Sequence, residues 1–152
     1  MNIITAPTKI ELDKNLNVFL AGSIEVGVAE RWQDKVVKEL SEANVTLLNP
    51  RRASWDSSWK QEIENPIFKE QVDWELDALE LADIIIMYFD KETKSPITLL
   101  ELGLFARSGK LLVCCPEGFW RKGNVDVVCE RYKIPQVSSL EELINEVQKK
   151  LK

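Results

Sequence analysis

Two glutamates stand out among the 25 acidic residues because their neighbours in the sequence are apolar. Glu101 is the only charged residue from Ser95 through Ala106, in the segment SPITLLELGLFA. A helix that is apolar on nearly every side is buried, and buried charges are rare unless they are paired or used. A carboxylate held in this way could act as a nucleophile or transfer protons.

A structural role for Glu101 is an equally good interpretation of the same segment. Thr98 and Glu101 have the spacing of a capping box, in which the glutamate side chain reaches back to the cap amide. Ser95-Pro96 offers a competing helix start, which would place Glu101 further inside the helix. The residues alone leave both interpretations open.

Glu75 lies in a segment whose apolar residues follow helical spacing. When Pro66–Leu81 is projected at about 100° per residue, the apolar side chains form one arc that includes Glu75. Asp73, Asp77 and Glu80 fall on the opposite face. A carboxyl group against an apolar wall has a raised pKa, which a general acid near neutral pH needs. The alternative is an edge glutamate of an amphipathic helix that reaches solvent.

Composition limits the chemistry that this chain could perform. It has no histidine, which excludes a Ser-His-Asp triad, a Cys-His pair and nearly every zinc site. The net charge of -5 gives no broad surface for a nucleic-acid backbone. No apolar run reaches the roughly 20 residues of a membrane span, and the N-terminus lacks the apolar core of a signal peptide. We therefore expect a cytoplasmic protein with free thiols, whose carboxylates carry any catalysis.

Several other residues could contact a ligand. The turn GSIEVG, at 22–27, could hold a sugar hydroxyl or a phosphate through backbone amides, although a plain strand-to-helix turn is the default. Trp55 and Trp59 could stack on a base or cap the core. Arg51 and Arg52 could meet a phosphate or remain solvated.

Strand and helix patterns alternate along the chain. Strands are predicted at Leu16–Ala21, Val45–Leu48, Asp83–Phe89, Leu111–Cys115 and Gln136-Val137, and helices at Val28–Ala43, Asn65–Leu81, Ser95–Gly109, Val125–Tyr132 and Leu140–Leu151. The alternation predicts one α/β domain over residues 1–152, with about five parallel strands in a doubly wound sheet. Ligands bind at the carboxyl ends of the strands in such sheets.

Four segments together resemble the nucleoside 2-deoxyribosyltransferase family and its relatives, the 2'-deoxynucleoside 5'-monophosphate N-glycosidases. They are VFLAGSIEVG, QVDWELDALELADIIIMYFD, TLLELG and FWRKGNVDVVCERY, between about Val18 and Pro135. The resemblance implies a flavodoxin-like, three-layer α/β/α fold. It also implies that Glu101 is the nucleophile and that Glu75 assists departure of the base, where the family more often has Asp.

The same resemblance implies the substrate contacts. Gly22 and Ser23 belong to the turn that resembles GSIRGG of the monophosphate glycosidases. Glu25 replaces the arginine that would favour a phosphate there, which implies an unphosphorylated nucleoside. Ser95 falls where the family has an aspartate near the base. Asn124 resembles a residue that a neighbouring subunit contributes to the 5'-hydroxyl, which implies a homo-oligomer.

The implied reaction transfers 2-deoxyribose between nucleobases of 2'-deoxynucleosides. Glu101 would form a covalent ester with the sugar, as in retaining glycosidases, whose two carboxyl groups lie about 5–5.5 Å apart. A free base then accepts the sugar, or water does, and no metal or organic cofactor is needed. The alternatives are a hydrolase of deoxynucleoside monophosphates, with Arg51 or Arg52 on the phosphate, and a non-catalytic module that binds a nucleotide-like signal.

Overall fold

The computed structural model describes residues 1–24, 31–52 and 58–152 of the chain. Its parallel strands form one sheet in the order β1-β3-β2-β4-β5-β6. The strands are Asn2–Thr5 (β1), Leu16–Gly22 (β2), Val45–Asn49 (β3), Ile84–Tyr88 (β4), Leu111–Cys114 (β5) and Gln136–Val137 (β6). The helices are Trp32–Glu39 (α1), Pro66–Leu81 (α2), Pro96–Phe105 (α3), Lys122–Tyr132 (α4) and Leu140–Lys150 (α5).

Helices cover both faces of the sheet, which explains why the central strands are apolar along their whole length. Successive side chains of β2 alternate between the faces, with Phe19 and Ala21 on one side and Val18 and Leu20 on the other. Helices α2, α3 and α4 pack on the first face, and α1 and α5 pack on the second. This three-layer α/β/α arrangement confirms the predicted fold class.

The connections reverse direction between two neighbouring strands. From β2 the chain passes through α1 to β3 on one side, and from β3 it passes through α2 to β4 on the other side of β2. The carboxyl ends of β2 and β4 therefore border the topological switch point, where open α/β sheets bind ligands. Gly22 and Tyr88 are paired in register at this edge.

Some elements differ from the prediction. Strand β1 is additional to the five predicted strands, and its NIIT segment is only partly buried. The segment has no strong local strand pattern. It is a strand because it pairs with β3, which is distant in sequence. Helix α4 begins at Lys122, before the predicted start at Val125. Residues 28–30 of the predicted first helix lie outside the described residues.

Both predicted Asx-Pro and Ser-Pro helix starts are confirmed. The Asn65 side chain accepts a hydrogen bond from the Ile67 amide at 3.2 Å, and Pro66 occupies the first helical position. Pro96 likewise occupies the first position of α3, but the Ser95 side chain makes no capping hydrogen bond. None of the helices in the described ranges is both long enough and apolar enough to cross a lipid bilayer.

Candidate active site

Glu101 lies inside α3 and is only 7% exposed. Because α3 begins at Pro96, Thr98 is already a helical residue, and Glu101 lies beyond the first turn. The capping box between these two residues therefore does not form. The sequence predicts that this apolar helix is buried on nearly every side. That prediction is wrong for its outer face, where Ile97 and Leu100 are exposed. Glu101 lies on the inner face, among residues of the core.

Glu75 lies on α2 and is partly buried. It follows Trp74, which is in the core, whereas Asp73 and Asp77 are exposed. The helical projection was therefore right to separate Glu75 from the other acidic residues of this helix. Since α2 and α3 pack on the same face of the sheet, each supplies one glutamate to the same side.

The two carboxyl groups are close enough for one charge to act on the other. Burial, and after it the negative charge of Glu75, raises the pKa of Glu101 to about 8. Burial also raises the pKa of Glu75 to about 7, against the positive charge of Arg52 and a hydrogen bond from Gln71, which both lower it. The pair therefore titrates as a coupled unit near neutral pH. In its singly protonated state it offers one proton donor and one carboxylate.

The end of β2 passes very close to β4 and α1. A Cβ atom on Gly22 would lie 2.4 Å from the Tyr88 carbonyl oxygen and 2.6 Å from Cζ2 of Trp32, so no other residue fits there. The next amide, that of Ser23, donates to the Tyr88 carbonyl at 3.0 Å. The Ser23 carbonyl accepts a hydrogen bond from the Trp32 indole at 3.1 Å. These contacts fix the Gly22-Ser23 turn at the switch point.

Three buried hydroxyl groups meet beside this turn. Oγ of Ser23 lies 2.8 Å from Oγ1 of Thr93 and 2.5 Å from Oγ of Ser95. The Asp90 amide donates to the Ser23 hydroxyl at 2.9 Å, and the Thr93 hydroxyl donates to the Asp90 carbonyl at 2.9 Å. This cluster joins the end of β2 to the start of α3, and so it positions the helix that carries Glu101.

Ser95 has an unusual backbone conformation. Its φ of 45° and ψ of 53° lie in the left-handed region, which costs a residue other than glycine about 1 kcal/mol or more. The following Pro96 also restricts Ser95, because a residue before proline avoids the right-handed helical region. Such strain persists where the surrounding structure holds it and is concentrated at functional sites.

Arg52 and Gln71 approach Glu75 from the end of β3 and from α2. Nη2 of Arg52 donates to Oε1 of Glu70 at 3.3 Å, and its guanidinium lies 5.8 Å from the centre of the Trp59 ring. Nε2 of Gln71 donates to the Pro50 carbonyl at 2.8 Å. Sequence reasoning missed Gln71, although the helical projection places it inside the apolar arc next to Glu75. A polar residue inside that arc was the available signal.

Asn124 lies apart from these groups. It is exposed on α4, in an open groove between α3 and α4 that is lined by Leu99, Leu102, Gly103, Arg121, Val125 and Val128. Within residues 1–24, 31–52 and 58–152, no hydrogen bond joins Asn124 to Glu75 or Ser95. Glu25 and Trp55 lie outside those ranges. No group of three or more potential metal ligands occurs in the same ranges.

Comparison with known families matches residues 15–119 to the family described as nucleoside 2-deoxyribosyltransferase like. A solved structure, described as a conserved protein from Enterococcus faecalis V583, has a similar fold, with a TM-score of 0.65 over 90% of this chain and 99% of that chain. The two sequences are 16% identical, so the likeness shows the fold alone. No curated protein matches the chain.

The family match covers the sheet edge described above. It extends from the start of β2 through the Gly22-Ser23 turn, Glu75, Ser95 and Glu101, and it ends before Asn124. It spans about two thirds of the chain. The chain therefore belongs to the nucleoside 2-deoxyribosyltransferase-like family.

Proposed function

We propose that the protein transfers 2-deoxyribose between nucleobases of 2'-deoxynucleosides, through a covalent ester on Glu101. The observation that carries this proposal is the electrostatic coupling of two carboxyl groups, the buried Glu101 and the partly buried Glu75, near the switch point of a sheet in this family. One protonated and one ionised carboxyl group are the two parts that a retaining glycosyl transfer requires.

In the first half-reaction, the Glu101 carboxylate bonds to the anomeric carbon while the N-glycosidic bond breaks. The electron pair of that bond leaves with the base, which takes the proton of Glu75. In the second half-reaction, a nitrogen of an acceptor base attacks the same carbon and displaces Glu101. Glu75 then takes back the proton that the acceptor nitrogen loses. Water in place of the acceptor gives free deoxyribose.

Near neutral pH the two carboxyl groups of the empty site share one proton. Burial raises the pKa of Glu101 to about 8 and that of Glu75 to about 7, so singly protonated pairs are present there. A bound substrate places this proton on Glu75, because positive charge that develops at the anomeric carbon stabilises the Glu101 carboxylate. A ring nitrogen of the base meanwhile accepts a hydrogen bond from Glu75. Substrate binding therefore completes the catalytic protonation state.

The sugar is 2-deoxyribose because a 2'-hydroxyl would oppose the reaction in two ways. It withdraws electron density from the anomeric carbon and so destabilises an oxocarbenium-like transition state. It would also lie beside Glu101 near apolar residues such as Leu102, where a hydroxyl without a partner costs about 1–3 kcal/mol.

The two arginines that would serve a monophosphate substrate are engaged elsewhere. Arg52 is bonded to Glu70 at 3.3 Å, and Nη1 of Arg51 donates to Oε1 of Gln33 at 3.3 Å. Their contacts favour an unphosphorylated nucleoside over the deoxynucleoside monophosphate alternative.

We infer further that the enzyme works as a homo-oligomer, in which Asn124 of the partner subunit approaches the 5'-hydroxyl. The outer face of α3 supports this inference, since Ile97, Leu100 and Leu104 are exposed there, and Glu101, the only charged residue from Ser95 through Ala106, is buried on the inner face. An uncharged apolar face is complementary to its own copy, as a two-fold interface requires.

Gly103 on the same helix adds to this support. A Cβ atom there would meet nothing within 4 Å, so the described part of the chain gives no reason for glycine. Glycine inside a helix costs about 0.5–1 kcal/mol relative to alanine. A second copy packed against α3 would supply the reason, because glycine lets two backbones approach closely.

Incubation of the protein with deoxynucleosides, with and without a second free base, tests the proposed function. We expect chromatography to show a new deoxynucleoside that contains the second base, and none with Glu101→Gln. Release of base from dAMP but not from deoxyadenosine would transfer the function to the monophosphate glycosidases. No reaction with any deoxynucleoside or its monophosphate would leave a non-catalytic binding module.

A further inference from the structure

Two buried polar atoms beside Glu75 have no hydrogen-bond partner in the described part of the chain. They are Nε of Arg52 and Oε1 of Gln71, and the two residues are only 9% and 6% exposed. Buried polar atoms in native proteins nearly always have a hydrogen-bond partner, so two such atoms without one need an explanation. Both residues act on Glu75, the acid of the proposed reaction. The departing base must lie against that same carboxyl group.

The remaining contacts of these two side chains fix what each atom can do. The amide nitrogen of Gln71 is occupied by the Pro50 carbonyl at 2.8 Å, which leaves Oε1 as a hydrogen-bond acceptor. The Arg52 guanidinium is held through Nη2 by Glu70, and Nε–H remains as a donor. The amide cannot reverse these roles without losing its bond to Pro50. The site therefore offers one acceptor and one donor of fixed identity.

We propose that Gln71 and Arg52 recognise a nucleobase that carries an exocyclic amino group, adenine or cytosine. Oε1 of Gln71 accepts a hydrogen bond from the amino group, and Nε–H of Arg52 donates to a ring nitrogen. This inference rests on the proposed function, which places the base against Glu75.

Helix geometry supports this arrangement. Gln71 precedes Glu75 by one turn of α2, about 6 Å along the axis. A base whose edge receives the proton of Glu75 therefore extends its exocyclic group towards Gln71. An oxo group, as in hypoxanthine or thymine, would place a second acceptor against Oε1. A buried site that hydrogen-bonds one group discriminates strongly against a substrate that lacks it.

The test is a cycle that combines Gln71→Met with removal of the amino group from the substrate. We expect Gln71→Met to lower kcat/KM for deoxyadenosine by about tenfold to hundredfold more than kcat/KM for purine 2'-deoxyriboside, which has no amino group, the effect of one lost buried hydrogen bond. Loss of the Gln71 hydrogen bond to Glu75 should affect both substrates alike. If only pyrimidines react, deoxycytidine and its analogue without the 4-amino group form the pair. Arg52→Met should lower kcat/KM for both members.

Two variants serve as controls. Gln33→Met removes another buried amide that has an unpartnered nitrogen, but on α1 at the opposite face of the sheet, and it should not distinguish the two substrates. Glu70→Gln removes the negative charge beside Arg52 but keeps an acceptor for Nη2, and it should not distinguish the two substrates either. Equal losses with both substrates in Gln71→Met would show a structural role and overturn base recognition.

Binding to inactive protein separates this inference from the proposed function. Calorimetry with Glu101→Gln measures the affinity for free adenine and for purine, before and after Gln71→Met is added. A loss specific to adenine supports base recognition even if no transfer is found. If Glu101→Gln with the native Gln71 bound adenine and purine equally well, base recognition by Gln71 would be contradicted, even if the wild type were an active transferase.

Discussion

Glu75 and Glu101 are held differently, and this difference supports the tasks that we propose for them. Glu101 has no hydrogen bond from the described residues that lowers its pKa, and burial and the Glu75 charge both oppose its ionisation. Arg52 and Gln71 lie beside Glu75 and favour its ionised form, so both lower its pKa. An unsolvated carboxylate is the better nucleophile, and a carboxyl group with partners exchanges a proton more readily near neutral pH.

The two pKa values predict a narrow pH dependence of activity. Below about pH 7 both carboxyl groups hold protons, and above about pH 8 neither does, so kcat/KM for a deoxynucleoside should fall on both sides. Arg52→Met should move the acidic limb towards higher pH, because the positive charge of Arg52 lowers the pKa of Glu75 and its removal raises that pKa. A pH–rate profile measures both. A flat profile from pH 5 to about 9 would exclude the coupled pair.

The same burial predicts a pH-dependent gain in stability for Glu101→Gln. The pKa of Glu101 rises from 4.5 to about 8 on folding, so the folded state retains a proton that the unfolded state releases between these values. Titration of Glu101 therefore costs the wild type no stability below pH 4.5 and lowers its free energy of unfolding as the pH rises to 8. A neutral glutamine at this position does not titrate and has no such cost. In thermal unfolding at pH 8, the Tm of Glu101→Gln should be higher than that of the wild type by about 3 °C or more.

At pH 4.5 the two midpoints should agree within error. The exposed Glu80→Gln serves as the control, since it should raise Tm at neither pH. A gain for Glu101→Gln that is equal at both pH values would assign it to packing.

At the scale of elements, local signals predict most of the structure. Apolar strands, the Asn65-Pro66 start and the isolated charge of Glu101 are visible in short segments of sequence. The Ser23–Ser95 contact joins residues 72 positions apart, and the left-handed Ser95 depends on it and on Pro96. Strand β1 likewise exists through its pairing with β3. Such features need the tertiary structure, which also brings Arg52 to Glu75.

The exposed face of α3 leads to a prediction about the proposed homo-oligomer. Leu100→Asp should produce monomers with unchanged circular dichroism, because a charge on an apolar interface cannot be solvated there. Base exchange should be lost together with the oligomer, since Asn124 of the partner subunit would no longer reach the site. Sedimentation and activity are measured on the same samples. Leu76→Asp, at another exposed leucine, on α2, should change neither.

A wild-type protein that sediments as a monomer would contradict the shared site. An unchanged oligomer with Leu100→Asp would place the interface elsewhere on the surface.

At the scale of the whole molecule, the order of the strands brings the proposed site together. The reversal beside β2 opens a crevice, and the crossovers place α2 and α3 on one face, so that two helices direct their glutamates to the same side. In the proposed reaction, a chain without histidine would obtain a nucleophile and an acid from carboxyl groups alone. The central claim is that Glu101 becomes covalently bonded to the sugar.

Mass spectrometry of the quenched enzyme tests that claim most directly. The protein is mixed with a deoxynucleoside without an acceptor base, quenched in acid within one turnover, and measured intact and after digestion. We predict a mass increase of one deoxyribosyl group, located on the peptide that contains Glu101, absent in Glu101→Gln and also absent when free base is added before the quench. Turnover without any adduct, or an adduct on another residue, would contradict the account.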